Sequence, residues 1–445
     1  MAVAVSFAGA RNSELVQYVK ICSLYGVGFY YIPGTDTCLK VGGWVRAEVN
    51  VYSNGSFNPI VRDYYNCQSN LVNWRTRGIL TLDARSQTEY GTLRSYIAGG
   101  FQADNAARGA IYAPRAFIQL AGFTVGLASS FFDFYATPWY SNTTNILGSD
   151  TGGGGDIVWA YTAQFGNGFS GSFSVEEPTV RRNVIWRSDV AFNFLGGAAA
   201  NHYIGANGWP DIVGNLRVDQ AWGSAQIMAA AHQVAADYYG ATEGSGHPND
   251  EVGWAAGAGV KVNIPWGKGD SFAVQGTYSQ GALPYVGSGL SGFGLWNGTS
   301  VGLGWTFDAV YSNAVGSSLQ LTTAWSVVAG IDHHWDPHWK TSLYGTYGDF
   351  SFNGAATALL NAAFCVTAAC AAIGPDFQFW QIGSRTVWTP VQNLDLSVDV
   401  MYNQVQSAYD SVTTTCPAVK QQGPCQTGDE GVWQVIFRAQ RNFYP

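Results

Sequence analysis

The sequence predicts an all-β protein, a transmembrane antiparallel β-barrel of about sixteen strands with short turns at one end and long loops at the other. Three observations predict it. First, 47% of the 445 residues are hydrophobic and only 12% charged, about half the charged share of an ordinary soluble domain. Something other than a charged surface therefore meets the surroundings. Second, the apolar residues are interleaved with Ser, Thr, Asn, Gln and Gly, and the mean hydropathy lies near zero. Spanning helices would instead need runs of about 18 or more apolar residues. Third, short and long connections alternate down the chain, as they do in barrels that cross a membrane with strands.

Composition supports strands and excludes several function classes. Glycine (55), Trp (17), Tyr (24) and Phe (24) are abundant, a strand and turn chemistry more than a helical one. A net charge of -8, with Lys and Arg scattered singly, offers no basic run to follow a phosphate backbone, so no nucleic-acid partner is expected. The stretch Gly354 to Gly374 carries no charge over 21 residues. It is poor in large apolar side chains, and its Cys365 and Cys370 are better placed to close a short loop than to sit in a spanning helix. Residues 1–20 begin MAVAVSFAGARNSE, which reads as an export-signal remnant or an apolar arm because the basic start of a full signal is missing. The seven cysteines suit an oxidising compartment if they pair by proximity: Cys22 with Cys38, Cys365 with Cys370, Cys416 with Cys425, and Cys67 left over.

Period two dominates the strands. From Trp44, Val45, Ala47, Val49 and Val51 fall on one face and Trp44, Arg46, Glu48 and Asn50 on the other. Leu80, Leu82 and Ala84 oppose Thr81, Asp83 and Arg85; Phe169, Gly171, Phe173 and Val175 alternate with serines and Glu176; Leu394, Leu396, Val398 and Val400 face away from Asp395, Ser397 and Asp399. A soluble sandwich shares this period, so turn lengths must decide. Tight turns are expected at Gln87–Gly91, Ala121–Phe123, Gly166–Gly168, Ala221–Gly223, Pro265–Asp270, Asp336–Trp339 and Thr389–Asn393. Seven turns join fourteen strands. A first strand near Leu39–Tyr52 and a last near Gly431–Phe443 complete about sixteen, enough for an open aqueous lumen. Both ends of the chain lie on the short-turn side, so first and last strands can pair and remove the sheet edge that lipid forbids. Aromatics at Trp139 and Tyr140, Trp222, Trp266, Trp335, Trp339, Trp388, Phe443 and Tyr444 read as interfacial girdles at strand ends.

In these same segments the sequence resembles the general porins of alphaproteobacteria. The likeness runs from about Tyr18 to the C-terminus. It is carried by YGVGFYYIPGTDTCLKVGGWVR from Tyr25, SQTEYGTLRSY from Ser86, WPDIVGNLRVDQAWGSAQ from Trp209, AWSVVAGIDHHWDPHWKTSLYGTYG from Ala324, TPVQNLDLSVDVMY from Thr389 and FRAQRNF from Phe437. The resemblance implies one barrel domain over residues 21–445 in the bacterial outer membrane. It implies a homotrimer in contact with lipid and lipopolysaccharide, non-specific passive diffusion of small hydrophilic solutes and ions, and a third external loop folded inward to narrow the pore. Such porins usually end in a Phe read by the assembly machinery. Here Phe443 is followed by Tyr444 and Pro445, so that role passes to the terminal aromatic pair.

The candidate constriction loop is the third long connection, about Ser130 to Gly155, long enough to enter a lumen; connections of that length are usually functional. Strand parity puts Arg46, Arg77, Arg85, Arg94 and Arg115 on the polar face of the first four strands, and the loop brings Asp133 and Asp150. A basic wall facing loop carboxylates would set up a transverse field, focused by the low-dielectric barrel. The competing reading pairs these arginines with Glu48, Asp83 and Asp104.

Rival chemistry is thin. His333, His334 and His338 suggest a metal, but adjacent strand residues point to opposite faces, so no metal or other cofactor is expected. The glycine run at Gly152 lacks the Lys of a phosphate loop, and no nucleophile elbow or paired carboxylates nominate a catalytic site, so the chain is not expected to be an enzyme. A substrate-selective channel, revealed by saturable flux, and a secreted carbohydrate-active β-protein, revealed by solubility without detergent, are the alternatives.

Overall fold

A computed structural model describes residues 20–51, 71–105, 107–142, 147–190, 201–205, 208–287, 289, 292–365, 368–415 and 424–444. Residues 1–19 of the expected N-terminal arm, Cys67 and Cys416 lie outside the described residues. The barrel strands are β1 (Cys38–Val51), β2 (Val72–Thr88), β3 (Gly91–Asp104), β4 (Ala107–Leu120), β5 (Phe123–Ala128), β6 (Asp156–Gly166), β7 (Phe169–Glu176) and β8 (Asp211–Gln220). They continue as β9 (Gly223–Val234), β10 (Glu251–Asn263), β11 (Ser271–Gln280), β12 (Thr323–His334), β13 (Trp339–Ser351), β14 (Phe377–Val391), β15 (Leu394–Gln406) and β16 (Glu430–Asn442). Each pairs antiparallel with its neighbours, and β16 closes on β1 with Trp44 opposite Asn442 and Val51 opposite Val435. The short strand Phe29–Tyr31 folds back on the start of β1, held there by the Cys22–Cys38 disulfide.

All seven tight turns occur where the sequence puts them. One connection at the opposite end departs from the alternation: β3 ends at Asp104 and β4 starts at Ala107, so this loop is also short. Asn105 makes the reversal possible. It takes a positive φ of 45° and pins itself to β2, its side-chain oxygen accepting from Trp74 N at 2.9 Å and its amide donating to Asn73 Oδ1 at 2.8 Å.

The stretch from Gly354 begins with a short helix, α1 (Gly354–Phe364), and is not a spanning one. Its alanines favour helix, Asn353 caps it by accepting from Ala356 N at 2.9 Å, and the Cys365–Cys370 disulfide follows. Cys425 is disulfide-bonded as well. No helix among the described residues is long and apolar enough to cross a membrane, which says nothing about strands.

The two faces of the strands separate as their period requires. Val45, Leu80, Ile97, Phe173, Ile227, Leu343, Ile382 and Val400 point outward and are exposed on the barrel's flank, whereas Glu48, Asn50, Thr81, Asp83, Ser174, Gln275, Thr346, Gln381 and Asp399 point inward and are buried. Loop and wall groups satisfy some of them: Gln275 accepts from Tyr135 N and donates to Ser149 Oγ, and Asp399 accepts from Asn142 N and the Tyr344 hydroxyl. Trp222, Trp266, Trp335, Trp339 and Trp388 are exposed at the short-turn end. Trp139 and Tyr140 are not girdle residues: Tyr140 is fully buried inside the barrel, its ring against Gly330. They belong to the long third loop, whose inward course no local pattern marks.

The largest hydrophobic core is built from loops. A hairpin, Gly292–Asn297 with Ser300–Trp305, puts Phe293, Leu295, Val301 and Leu303 against the inward Phe350, Phe377, Phe379 and Val405 at the long-loop ends of β13, β14 and β15, with Leu360 of α1 and Tyr409 beside them. This side of the lumen is filled.

Candidate functional site

The third loop, L3, runs from Ser129 to Gly155 between β5 and β6 and crosses to the far wall. Tyr135 N donates to Gln275 Oε1 at 2.8 Å, the Tyr140 hydroxyl meets Ser271 Oγ at 3.1 Å, and Asn142 N donates to Asp399 Oδ2 at 2.6 Å. Arg385 on β14 donates to three L3 carbonyls, those of Pro138 (3.1 Å), Ser141 (3.0 Å) and Trp139 (2.6 Å). These charge-assisted bonds satisfy backbone acceptors that an irregular segment leaves unpaired. Lys261 lies 3.9 Å over the Trp139 ring.

Two wall glycines make room for the loop. A Cβ on Gly259 would stand 2.2 Å from the Phe134 ring, and one on Gly330 would stand 2.4 Å from the Tyr140 ring. Missing side chains in the wall are thus filled by aromatics of L3, and the fit fixes the loop's position.

L3 meets the opposite wall at Asn142 O, which accepts from Arg438, and at Gly152 O, which accepts from Arg115, and elsewhere leaves a gap. Between them is a cavity of about 320 Å³. Trp44, Arg46, Glu48, Arg75, Arg77, Tyr112, Ile436 and Arg438 line it from β1, β2, β4 and β16; Thr137, Pro138, Ser141, Asn142, Asp150, Gly152 and Gly153 line it from L3. Four guanidiniums, with Glu48 among them on the same wall, therefore face Asp150 of L3.

The five arginines singled out from the sequence divide three ways. Arg46 and Arg77 line the cavity, with Arg46 Nε donating to Gln440 Oε1 at 2.8 Å and Arg77 Nε to Gln102 Oε1 at 2.6 Å. Arg85 and Arg94 sit nearer the short-turn end and clamp one carboxylate, Asp83, at 2.8 and 3.0 Å. Arg115 tethers L3, donating to Gly152 O at 3.0 Å and Ser129 Oγ at 2.8 Å. Of the competing pairings, that with Asp83 occurs, whereas Asp104 and Glu48 bind two other arginines, Arg75 at 2.7 Å and Arg438 through Nε at 2.7 Å.

Of the two loop carboxylates only Asp150 faces the cavity, held by the amides of Thr137 (2.9 Å) and Gly152 (2.8 Å). Asp133 does not. It is largely buried at the root of L3, 2.8 Å from the Arg181 guanidinium and accepting from Thr151 N at 2.8 Å. Burial pushes its carboxyl up to about 6, against the pull of Arg181. Asp133 braces the loop.

Sequence reasoning missed Arg75, Arg438 and Tyr112. Arg75 lies two residues before Arg77 and shares its face, and Arg438 follows the same parity on β16, so strand period alone could have found both. His333 and His334 do not point apart: both Nδ1 atoms meet Asp270, at 2.7 and 3.3 Å, because His334 ends its strand beside the turn that carries Asp270.

A closed sixteen-strand membrane barrel with an inward loop and a polar cavity beside it is a channel protein. The chain matches the family described as the porin subfamily over residues 10–430 and belongs to it. It is 29% identical to the porin Omp2b of Brucella neotomae over 309 residues, 65% of this chain and 71% of that one. The Omp2b porin of Brucella suis biovar 1 gives 29% over 314 residues, with the same coverage of both chains. Among solved structures it is similar in fold to the outer membrane channel DcaP of Acinetobacter baumannii, with a TM-score of 0.62 and 15% identity over 93% of this chain and 99% of that one. The protein is an integral β-barrel of the outer membrane and a general diffusion porin, and its family identity is that of a channel.

Proposed function

We propose that small hydrophilic solutes cross this porin by passive diffusion along the wall of β16 and β1 to β4, and that the narrowest part of the route is the cavity between that wall and L3. The observation that carries the reading is the lining itself, with Arg46, Arg75, Arg77 and Arg438 opposite Asp150 and the polar residues of L3. Excess positive charge in a low-dielectric passage favours anions, and the opposed carboxylate turns dipolar solutes across the flow. Conductance and liposome swelling with neutral sugars of graded size test it. A sharp size limit that rises when L3 is shortened supports the reading, and a limit unmoved by L3 defeats it.

The partners follow from the outside of the barrel. Its apolar flank fits lipid, with lipopolysaccharide in the outer leaflet. A shallow groove of small outward residues, Ala47, Thr76, Ala103 and Ala439, with Phe437 and Val398, suits close approach of a second copy in a homotrimer. The intact mass in mild detergent checks that. Phe443 and Tyr444, half-exposed beside Gly43 and Gly42, are the residues the outer-membrane assembly machinery would read, so truncation after Asn442 should lower assembled yield.

A further inference from the structure

Arg46 and Arg77 stand directly opposite one another on β1 and β2. Like charges at directly opposed cross-strand positions, where Cβ atoms are about 4.5–5.5 Å apart, destabilise the pair of strands. Around them the other arginines contact a carboxylate: Arg75 meets Asp104, Arg438 meets Glu48, and Arg85 and Arg94 share Asp83. Arg46 and Arg77 have no such carboxylate. Among the described residues each donates, through Nε alone, to a neutral glutamine oxygen.

Each guanidinium is nevertheless held in place. Arg46 lies 4.4 Å over the Trp44 ring and Arg77 4.8 Å over the Tyr112 ring, contacts that orient a cation without cancelling its charge. The four terminal Nη nitrogens of the two arginines have no protein acceptor among the described residues, and both side chains line the cavity. Donors arranged this way match an oxyanion, which accepts bidentate bonds from guanidinium.

We infer that Arg46 and Arg77 form a binding site for one oxyanionic group, the carboxylate or phosphate of a small solute, which bridges the two guanidiniums on its way through the channel. This rests on the cavity being the passage. The remainder of the solute lies against Thr137, Ser141 and Asn142 of L3. A cavity of about 320 Å³ holds the volume of about ten waters, which selects compact organic carboxylates and phosphate monoesters. Asp150 faces the same space and repels a second anionic end, so the favoured solute carries its charge at one end.

The test uses the full-length protein in planar bilayers in potassium chloride at pH 7, with inorganic phosphate or lactate added as probe and glycerol as the neutral control. The site predicts that phosphate and lactate reduce the chloride current along a saturable curve while glycerol does not. Arg46→Gln with Arg77→Gln should raise the half-saturating concentration about tenfold or more, as loss of charged hydrogen bonds implies. Lys268→Gln, in an exposed turn, should leave it unchanged. Arg46→Lys with Arg77→Lys keeps the charge but loses the fork. It should keep the preference for anions and still weaken phosphate binding. A current that falls without saturating, or a lysine pair that binds phosphate as tightly as the arginines, overturns the inference and leaves the diffusion channel standing. A protein that carries no current overturns both.

Discussion

The two sides of the lumen are made of the same kind of strand, yet they meet different things. On β11 to β15 the inward side chains are used up by the chain itself: Gln275, Ser271, Arg385 and Asp399 hold L3, while Phe350, Phe377 and Phe379 hold the loop hairpin from Gly292 to Trp305. On β16, β1, β2 and β4 they meet a cavity, and only part of their charge is paired. Strand period decides which side chains point inward. Loop length and loop anchors decide whether those side chains become core or channel lining.

The largest expected effect ignores the difference, because both sides depend on one lipid-facing band. Val400, exposed on the flank of β15, sits mid-strand, and Val400→Arg should cost about 2–4 kcal/mol of insertion free energy near the bilayer centre. Refolding titrations in vesicles measure this, and unchanged folding would put Val400 elsewhere. Next comes the contrast itself. Removing Pro138 to Asn142 takes the wall away from one side of the cavity, so single-channel conductance and the size limit should rise together, severalfold for the former.

A subtler way to disturb the packed side is to fill its notches. Gly259→Ala puts a Cβ 2.2 Å from Phe134, whereas Gly99→Ala on β3 meets nothing nearer than 3.8 Å. The first should destabilise the seat of L3 by about 1–3 kcal/mol and make the current noisier; the second should do neither. Equal behaviour would mean that the notch does not fix the loop.

The smallest effect concerns pH at the root of L3. The folded value of Asp133, about 6, lies above the unfolded carboxylate value near 4, so the folded state takes up the proton first. Stability from this group is therefore fully present below about pH 4 and lost as pH rises through about 6. Hydrogen exchange of the Thr151 amide, corrected for intrinsic rate, should show more protection at pH 5 than at pH 7. Asp133→Asn should remove that difference.

Much of the barrel could be read from the sequence, because its period, turns and strand ends are local properties. The seven tight turns and the faces of Val45, Leu80 and Val400 were legible for that reason. The alanine run from Gly354 carried a helix signal that its lack of charge obscured. The site was only half legible. Parity brought out Arg46 and Arg77, but the pairing of Arg85 and Arg94 with Asp83, the tether at Arg115 and the burial of Asp133 under Arg181 all depend on contacts between distant segments. Trp139 and Tyr140 misled for the same reason, since an aromatic pair looks alike in a girdle and in a loop seated inside a lumen.

Reversal potential across a salt gradient tests most directly the claim that solutes pass along the arginine wall beside L3. The account predicts anion preference in the parent protein and a clear shift toward cations in Arg46→Gln with Arg77→Gln. The shift should be large in dilute salt and small near molar salt, where screening falls to about 3 Å. Arg85→Ser with Arg94→Ser, which removes two arginines that share the one carboxylate of Asp83 and stand outside the cavity lining, should shift it less. A reversal potential unchanged by the first pair, or moved equally by the second, would contradict the account.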